Sequence, residues 1–188
     1  MAEWRSALQQ TPALAASLGP SESGVTIVEK HYDAFVQVAA WAETVGQTSA
    51  LLHDAWGLTV PLQTGKAVSE SGQSILCVGP GRWLAVGSVS VQQKLQRAVR
   101  AEIAVLTDLG HAFTVICVTG PRALELMAKG PAIDFQAAFP PGSVARSMIH
   151  HMGVTIFRPS VERFELFVYR GFARALCDWT IDVAAEFG

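Results

Sequence analysis

The stretches GRWLAVGSVSVQQKLQRAVRAE (residues 81–102) and ERFELFVYRGFARALCDWTIDVAAE (residues 162–186) follow the same pattern. Each begins with an apolar run typical of a β-strand, passes through a short turn and ends in a helix-like repeat of apolar residues. In both parts of the chain, the order of expected elements is strand, helix, loop, two strands and helix. This recurrence predicts an α+β fold of two packed α/β halves, each an antiparallel sheet with helices on one face.

The domain organisation follows from that repeat. We predict an N-terminal arm at residues 1–24 and a single domain at residues 25–188, made of two similar halves at about 25–105 and 106–188. The arm is rich in Ala, Ser, Pro and Gly and contains one large anchor, Trp4. Such a segment is expected to become ordered only against a partner.

Local patterns predict the other elements. A helix is expected at residues 33–57, because Phe35, Val38 and Ala42 recur at helical spacings, with an interruption near Gly46. The remaining predictions are strands at 25–31, 112–120, 146–158 and 162–170, two strands around the GPG turn within 74–88, helices at 90–103, 121–130 and 172–187, and a loop at 59–73.

Composition excludes several classes of protein. Of the 188 residues, 50% are hydrophobic and 16% are charged, and the formal net charge is -2; a typical soluble domain has about 25% charged residues. The basic residues are scattered, which argues against nucleic-acid binding. No apolar run approaches the roughly 20 residues that span a bilayer, and a secretory signal is not expected. The surplus of apolar residues favours a protein partner, with a well-buried single domain as the alternative.

The sequence contains no recognisable catalytic motif. GPGR at 79–82 lacks the third glycine of a dinucleotide-binding loop, and TGKA at 64–67 lacks the first glycine and the hydroxyl residue of a P-loop. Asp178 and Asp182 lie one helical turn apart and favour a solvated helix face. We therefore predict that this chain provides no catalytic residue, no cofactor-binding residue and no metal ligand.

The three cysteines support the same interpretation. Cys77, Cys117 and Cys177 are far apart in the sequence and form no C-x-x-C motif. Two of them lie in apolar, strand-like runs. They are predicted to be small buried residues in a reducing cytoplasm.

RSMIHHMGVTIFR, at residues 146–158, places two histidines side by side. If the segment is a single strand, His150 and His151 point to opposite faces, and His150 shares its face with Met148 and Met152. Neighbouring histidines on opposite faces cannot easily bind one metal ion. A structural or interface role is favoured, and a ligand or acid–base role is the alternative.

Several segments of the second part of the chain resemble a known family. TDLGHAFTVICVTGPRALELMAKGPAIDF, FPPGSVARSMIHHMGVTIFR and ERFELFVYRGFARALCDW, with the earlier GPGRWLAVG, are similar to the gamma subunit of heterotetrameric sarcosine oxidase. The resemblance covers roughly residues 75–188 and rests on the order and spacing of the segments. It implies a fold like that of the glycine-cleavage T-protein, an aminomethyltransferase.

The resemblance also implies a function. The family's complex demethylates sarcosine oxidatively to glycine, with hydrogen peroxide and formaldehyde or methylenetetrahydrofolate. FAD, FMN, NAD and zinc are expected in partner alpha, beta and delta subunits, and this chain is expected to be a non-catalytic, cytoplasmic subunit that stabilises the complex. The predicted interface residues are Trp4, Arg82, Trp83, Phe139, His150 and His151.

Three alternatives stay open at this point. The chain could be a folate-binding or one-carbon-binding module of the aminomethyltransferase type, since the resemblance to the T-protein implies a central cavity that can bind such a ligand. It could be a subunit of a related secondary-amine oxidase complex. It could also be an independent enzyme that uses His150 or His151.

Overall fold

The computed structural model of the protein describes residues 6–8 and 24–187. Within them the chain forms ten β-strands and four α-helices. The strands are β1 (Thr26–Lys30), β2 (Ala34–Ala40), β3 (Ala67–Glu70), β4 (Gln73–Gly79), β5 (Arg82–Gly87), β6 (Ala104–Asp108), β7 (Phe113–Thr119), β8 (Ser143–Ile149), β9 (Met152–Ser160) and β10 (Arg163–Tyr169). The helices are α1 (Val45–Trp56), α2 (Val89–Ala98), α3 (Ala123–Ala128) and α4 (Ala173–Ala185), and short 3-10 turns precede α1 and α4.

The chain divides into two compact units. Unit 1 comprises Met1–His31, His111–Pro141 and Ala145–Gly188, and unit 2 comprises Tyr32–Gly110 and Gly142–Val144. The predicted division of one domain into contiguous halves at about 25–105 and 106–188 stays a prediction. Most of the predicted arm, including Trp4, lies outside the described residues.

Unit 1 contains a five-stranded sheet in the order β1-β7-β10-β9-β8. The pairs β1–β7, β7–β10 and β10–β9 are antiparallel. One face of this sheet packs on α3 and α4 through a buried core that includes Ile116, Phe164, Leu166, Leu126 and Leu176. Alternate residues of β7 and β10 supply the sheet side of this core, as expected for strands.

Unit 2 contains the second sheet, in the order β3-β4-β5-β2-β6, with antiparallel neighbours throughout. Its core includes Val38, Leu52, Ile75, Trp83 and Leu95, so α1 and α2 both pack against the sheet. Helix α1 ends at Gly57, whose φ of 71° is the left-handed conformation that glycine adopts most easily at a helix end. The α+β class with antiparallel sheets, predicted from the sequence, is confirmed.

The two sheets have the same strand order. In each unit one interior strand, β2 or β7, is followed in the chain by a helix, three further strands and a second helix. In the sheet the three further strands all lie on one side of this interior strand, which we call the central strand. The edge strand on its other side comes from elsewhere: β6 for unit 2 and β1 for unit 1. In the sequence, β6 directly precedes β7 of unit 1, and β1 directly precedes β2 of unit 2. We call this arrangement the exchange of edge strands.

The helix predicted at residues 33–57 is wrong in its first part. Ala34–Ala40 forms β2, which pairs with β5 on one side and β6 on the other, and the helix begins only at Val45. A central strand is buried on both faces and therefore contains a nearly continuous apolar run. Such a run also satisfies the helical spacing of Phe35 and Val38, which explains the error.

Other boundaries also differ from the predictions. The loop predicted at 59–73 contains the short edge strand β3, and the helix predicted at 90–103 ends at Ala98. Strand β6, at Ala104–Asp108, was not predicted. Three of its five residues are exposed, which reflects an edge position and weakens the sequence signal of a strand.

Candidate functional site: the hairpin end of the unit 1 sheet

Two predicted interface residues are buried in the cores. The Trp83 side chain is fully buried in unit 2, where its indole N–H donates a hydrogen bond of 2.7 Å to the Pro61 carbonyl. Phe139 is 5% exposed and packs in the unit 1 core. Both rings are thus covered within the chain, and their predicted interface role stays a prediction. Arg82, at the start of β5, is exposed.

The segment 146–158 is a β-hairpin rather than the single strand predicted. Strand β8 ends at Ile149, β9 begins at Met152, and His150 and His151 form the turn between them. The φ of His150 is +51°, a left-handed conformation that a two-residue hairpin turn requires. The predicted sharing of a face by His150, Met148 and Met152 is therefore wrong, because the turn removes both histidines from the strand pattern.

Both histidines are exposed and lie against aromatic rings. The centroid of the His150 ring lies 6.5 Å from that of Trp179, and the His151 ring lies 6.4 Å from Phe172, both edge-on. Among the described residues, no group of three or more His, Cys, Asp or Glu is arranged to hold a metal ion. The predicted interface role of His150 and His151 stays a prediction.

A row of side chains crosses the end of the unit 1 sheet beside this turn. Strands β8 and β9 are neighbours in the sheet and are joined by a two-residue turn, so Ile149 is expected opposite Met152 and Met148 opposite Gly153. The register of β9 with β10 ends at Val154 opposite Val168, so Tyr169 follows next to Gly153. Tyr169 pairs with Phe113 of β7. We call these four residues the hairpin-end row: Met148, Gly153, Tyr169 and Phe113.

The hairpin-end row lies on the face of the sheet that points away from α3 and α4. Ile149, Val154 and Val168 point into the helix-side core, so their strand neighbours point to the opposite face. Met148 is 56% exposed and Tyr169 is 57% exposed. The rings of Phe113 and Tyr169 stack with centroids 4.5 Å apart. Large exposed apolar groups in one row are typical of a surface that contacts another molecule.

Sequence reasoning missed this row, because it is formed by the pairing of strands β8, β9 and β10. The alternation of β10 puts Tyr169 on the same face as Glu165 and Phe167, and the row becomes visible once the turn at His150 and His151 is known. The turn was not predicted because residues other than glycine uncommonly adopt a positive φ, and neither turn residue is Gly, Asn or Asp.

Glu165 is a buried carboxylate in unit 1. It is 1% exposed and its Oε1 accepts hydrogen bonds from Lys30 Nζ and from Arg163 Nη2, each at 2.8 Å. Two cations thus balance its charge where water is excluded. This arrangement holds β1 and β10 on β7 and is suited to stability rather than to proton transfer.

Arg158 is a buried cation in the same unit. It is 5% exposed, and its guanidinium donates hydrogen bonds to the carbonyls of Phe135 (2.9 Å), Phe139 (2.7 Å) and Val161 (2.8 Å). It also lies 5.1 Å from the centroid of the Phe164 ring. Burial lowers the pKa of Arg158. The side chain fastens the segment between α3 and β8 to β9.

The three cysteines are free and buried, as predicted from the sequence. Burial raises the pKa of the Cys77 and Cys117 thiols. Burial, with a smaller contribution from Asp178 and Glu29, raises the pKa of Cys177 to about 11. The thiolate is the reactive form of cysteine, so these thiols are not nucleophiles at neutral pH.

We therefore expect the thiols to be protected by folding. In the folded chain at pH 8 they should react with Ellman's reagent on the order of 100-fold more slowly than in denaturant. Because the folded-state pKa values are raised, the associated stability is complete below the unfolded-state value of about 8.5. It is lost as the pH rises toward about 11, the pKa of Cys177. Rapid labelling of one equivalent in the folded chain, or unchanged stability across this interval, would contradict the expectation.

None of the helices in the described part of the chain is long and apolar enough to cross a membrane.

Comparison with known proteins identifies the family. Residues 42–186 match the sarcosine oxidase, gamma subunit family. A comparison with curated protein sequences finds no significant match. Among solved structures, a chain of the heterotetrameric sarcosine oxidase from Corynebacterium sp. U-96 in complex with pyrrole 2-carboxylate is similar, with a TM-score of 0.86 and 22% identity over 98% of this chain and 96% of that chain.

A second solved structure agrees on the fold. The glycine cleavage system aminomethyltransferase T from Bartonella henselae has a TM-score of 0.60 and 15% identity over 82% of this chain, which spans 45% of that protein. The predicted likeness to the T-protein fold is thus confirmed. Since the family match includes most of both units, the chain belongs to the sarcosine oxidase, gamma subunit family.

Proposed function

We propose that the chain is a non-catalytic subunit that stabilises a heterotetrameric, flavin-dependent sarcosine oxidase. The family match over residues 42–186 carries the proposal. The chemistry of the described residues supports it, because the thiols are buried and protonated and the buried carboxylate Glu165 is held by two cations. The exposed hairpin-end row supports a role in contacts with other proteins.

In this proposal the reaction takes place in partner subunits. Alpha, beta and delta chains carry FAD, FMN, NAD and zinc and convert sarcosine to glycine, with hydrogen peroxide and formaldehyde or methylenetetrahydrofolate as the other products. The complex works in the cytoplasm. The choice between sarcosine and another secondary amine depends on the partner that binds the substrate, so a related amine oxidase complex is the neighbouring alternative.

Co-purification tests the proposal. A tagged copy of this chain, recovered from its native cell, should bring down larger subunits together with a flavin absorption spectrum and sarcosine-dependent production of hydrogen peroxide. Co-expression of the other three subunits with and without this chain is the matched comparison. We expect a lower yield of assembled oxidase without it. A colourless, solitary chain, or full activity and yield without it, would contradict the proposal.

A second candidate function is binding of folate or another one-carbon carrier. The similarity to the aminomethyltransferase T fold over 82% of the chain favours it. The ion-paired state of Glu165 counts against it, because a pterin is bound best by a carboxylate that is free to accept its hydrogen bonds. Calorimetric titration of the purified chain with tetrahydrofolate distinguishes this carrier function from the structural function proposed above. Heat of binding at micromolar ligand would support the carrier function, and its absence would support the structural one.

Catalysis by the two turn histidines is tested by one double substitution. We expect His150→Ala together with His151→Ala to leave the turnover of each assembled complex unchanged, because both rings lie at an exposed turn and pack on aromatic edges. Turnover per flavin corrects for any loss of assembly. A fall in turnover with assembly intact would assign them a catalytic role instead.

A further inference from the structure

The sulfur-containing side chains of the described residues differ in their access to solvent. They are those of the three cysteines, Met127, Met148 and Met152. The cysteines are buried, Met127 is fully buried and Met152 is 2% exposed, whereas Met148 is 56% exposed. Among the described residues, Met148 therefore has the one sulfur-containing side chain that a reagent in solution reaches without local opening of the fold.

The local structure leaves Met148 open on the side of the neighbouring strand. The residue lies one position before the end of β8, which is the edge strand of the unit 1 sheet. Gly153 of β9 is expected opposite it, and a Cβ added at Gly153 would meet nothing within 4 Å. The Cβ atoms of opposite residues in an antiparallel pair are about 5 Å apart, so their side chains normally cover each other. Because Gly153 has no side chain, the Met148 thioether lacks this cover.

The thioether and the thiols also differ in chemistry. A cysteine reacts with a peroxide as the thiolate, and burial raises the pKa of all three thiols. A thioether has no proton to lose before it is oxidised. Its sulfur attacks one oxygen of hydrogen peroxide, the O–O bond breaks, an S–O bond forms, and the other oxygen leaves as water after proton transfer. The sulfur loses two electrons, and the peroxide gains the same two.

From exposure and chemistry together we propose that Met148, left open by Gly153, is the site at which hydrogen peroxide from the oxidase oxidises the described part of this chain. Met127 and Met152 stay reduced. The inference rests on the proposed function, which supplies the peroxide. The product is a sulfoxide, which is polar, so the reaction changes an apolar member of the hairpin-end row into a hydrogen-bond acceptor. Reductases for methionine sulfoxide make such a modification reversible.

Added hydrogen peroxide tests the order of reactivity in the purified chain. Met148 and Met152 lie on one tryptic peptide, residues 147–163, so fragment spectra compare the two thioethers within one molecule. We expect Met148 to be oxidised at least about tenfold faster than Met127 or Met152, because the buried side chains react only after local opening. In denaturant the three rates should agree to within about twofold. Equal rates in the folded chain would overturn the proposal.

A substitution on the opposite strand tests the open setting of Met148. In Gly153→Leu the added side chain lies beside Met148 and should slow its oxidation roughly threefold. Gly46→Leu is the matched control and should leave the rate unchanged, since Gly46 is also exposed, with nothing within 4 Å of an added Cβ, but lies on α1 in unit 2. Thermal melting shows whether each variant is folded. An unchanged or faster oxidation of Met148 in folded Gly153→Leu would contradict the role given to Gly153.

Turnover of the assembled oxidase tests the source of the oxidant. The complex is supplied with sarcosine and air, with and without catalase, and the peptides of this chain are then analysed in the same way. We expect the sulfoxide of Met148 to accumulate with turnover and to be largely absent when catalase removes the peroxide. In Met148→Leu the peptide of residues 147–163 should remain without added oxygen.

The outcomes separate this inference from the proposed function. If the complex forms no peroxide from sarcosine, the proposed function fails, and the oxidant named here fails with it. If peroxide forms while Met148 stays reduced, or if Met152 is oxidised equally fast, the proposed function stands and the oxidation site is wrong.

Discussion

Adding one methyl group at Gly120 (Gly120→Ala) should lower the free energy of unfolding by about 3–5 kcal/mol. The φ of Gly120 is +125°, and a Cβ there would lie 2.3 Å from the Gly24 carbonyl oxygen and 3.2 Å from the Val25 Cα. These are backbone atoms directly before β1, which is paired to β7 from Thr26 opposite Thr119. The new methyl group can be accommodated only if β1 moves away from the sheet.

Thermal unfolding of the purified chain measures this effect. A loss of this size corresponds to a fall in Tm of roughly 10 °C for a protein of this length. Gly46→Ala is the matched control, because an added Cβ at Gly46 meets nothing and the position lies in the first turn of α1. It should be neutral or stabilise by up to about 1 kcal/mol. Equal melting temperatures for the two variants would contradict the prediction, because they would show that β1 can move to accommodate the methyl group without loss of stability.

Arg158→Met should lower the free energy of unfolding on the order of 3 kcal/mol. Methionine replaces the aliphatic part of the arginine side chain and is apolar, so the change removes the hydrogen bonds while retaining the packing of that part. The carbonyls of Phe135 and Phe139 then lose their donor in a buried place, and each unsatisfied group costs about 1–3 kcal/mol. The Val161 carbonyl belongs to an exposed residue and can accept a hydrogen bond from water instead.

Denaturant unfolding, with Arg174→Met as the control, checks this second prediction. Arg174 is exposed and its contact with Asp178 is long, so its replacement should change stability by less than about 0.5 kcal/mol. Arg158→Lys should be intermediate, because an ammonium group cannot reach three carbonyls in the planar arrangement of a guanidinium. An Arg158→Met chain as stable as the wild type would mean that the buried charge costs as much as its hydrogen bonds contribute.

Local signals were enough to predict much of the fold. The GPG turn and the apolar runs around it predicted β4 and β5, and the amphipathic pattern of 172–187 predicted α4. These elements have turn residues or a one-sided apolar pattern that depends only on near neighbours. Strand β2 was misread because its burial on both faces is decided by β5 and β6, which are distant in the sequence.

The candidate site was harder to predict than the fold. Trp83 and Phe139 were chosen for an interface as large aromatic residues, but whether such a ring is buried depends on packing that the sequence does not display. Met148, Gly153 and Tyr169 come together only through the pairing of β8, β9 and β10, so nothing in their spacing marks them. The family, by contrast, was predicted from the order of several segments, and the match over residues 42–186 confirms it.

The exchange of edge strands has a consequence for synthesis on the ribosome. Strand β1 leaves the ribosome well before its partner β7, which follows only after the strands β2 to β6. During that interval β1 is an unpaired strand edge, which is prone to pair with other chains. The sheet of unit 2 has all its strands once residue 108 has emerged, whereas the unit 1 sheet must wait for residue 169. Unit 2 is therefore placed to fold before unit 1, and the nascent strand β1 is a part of the chain that a chaperone would need to shield.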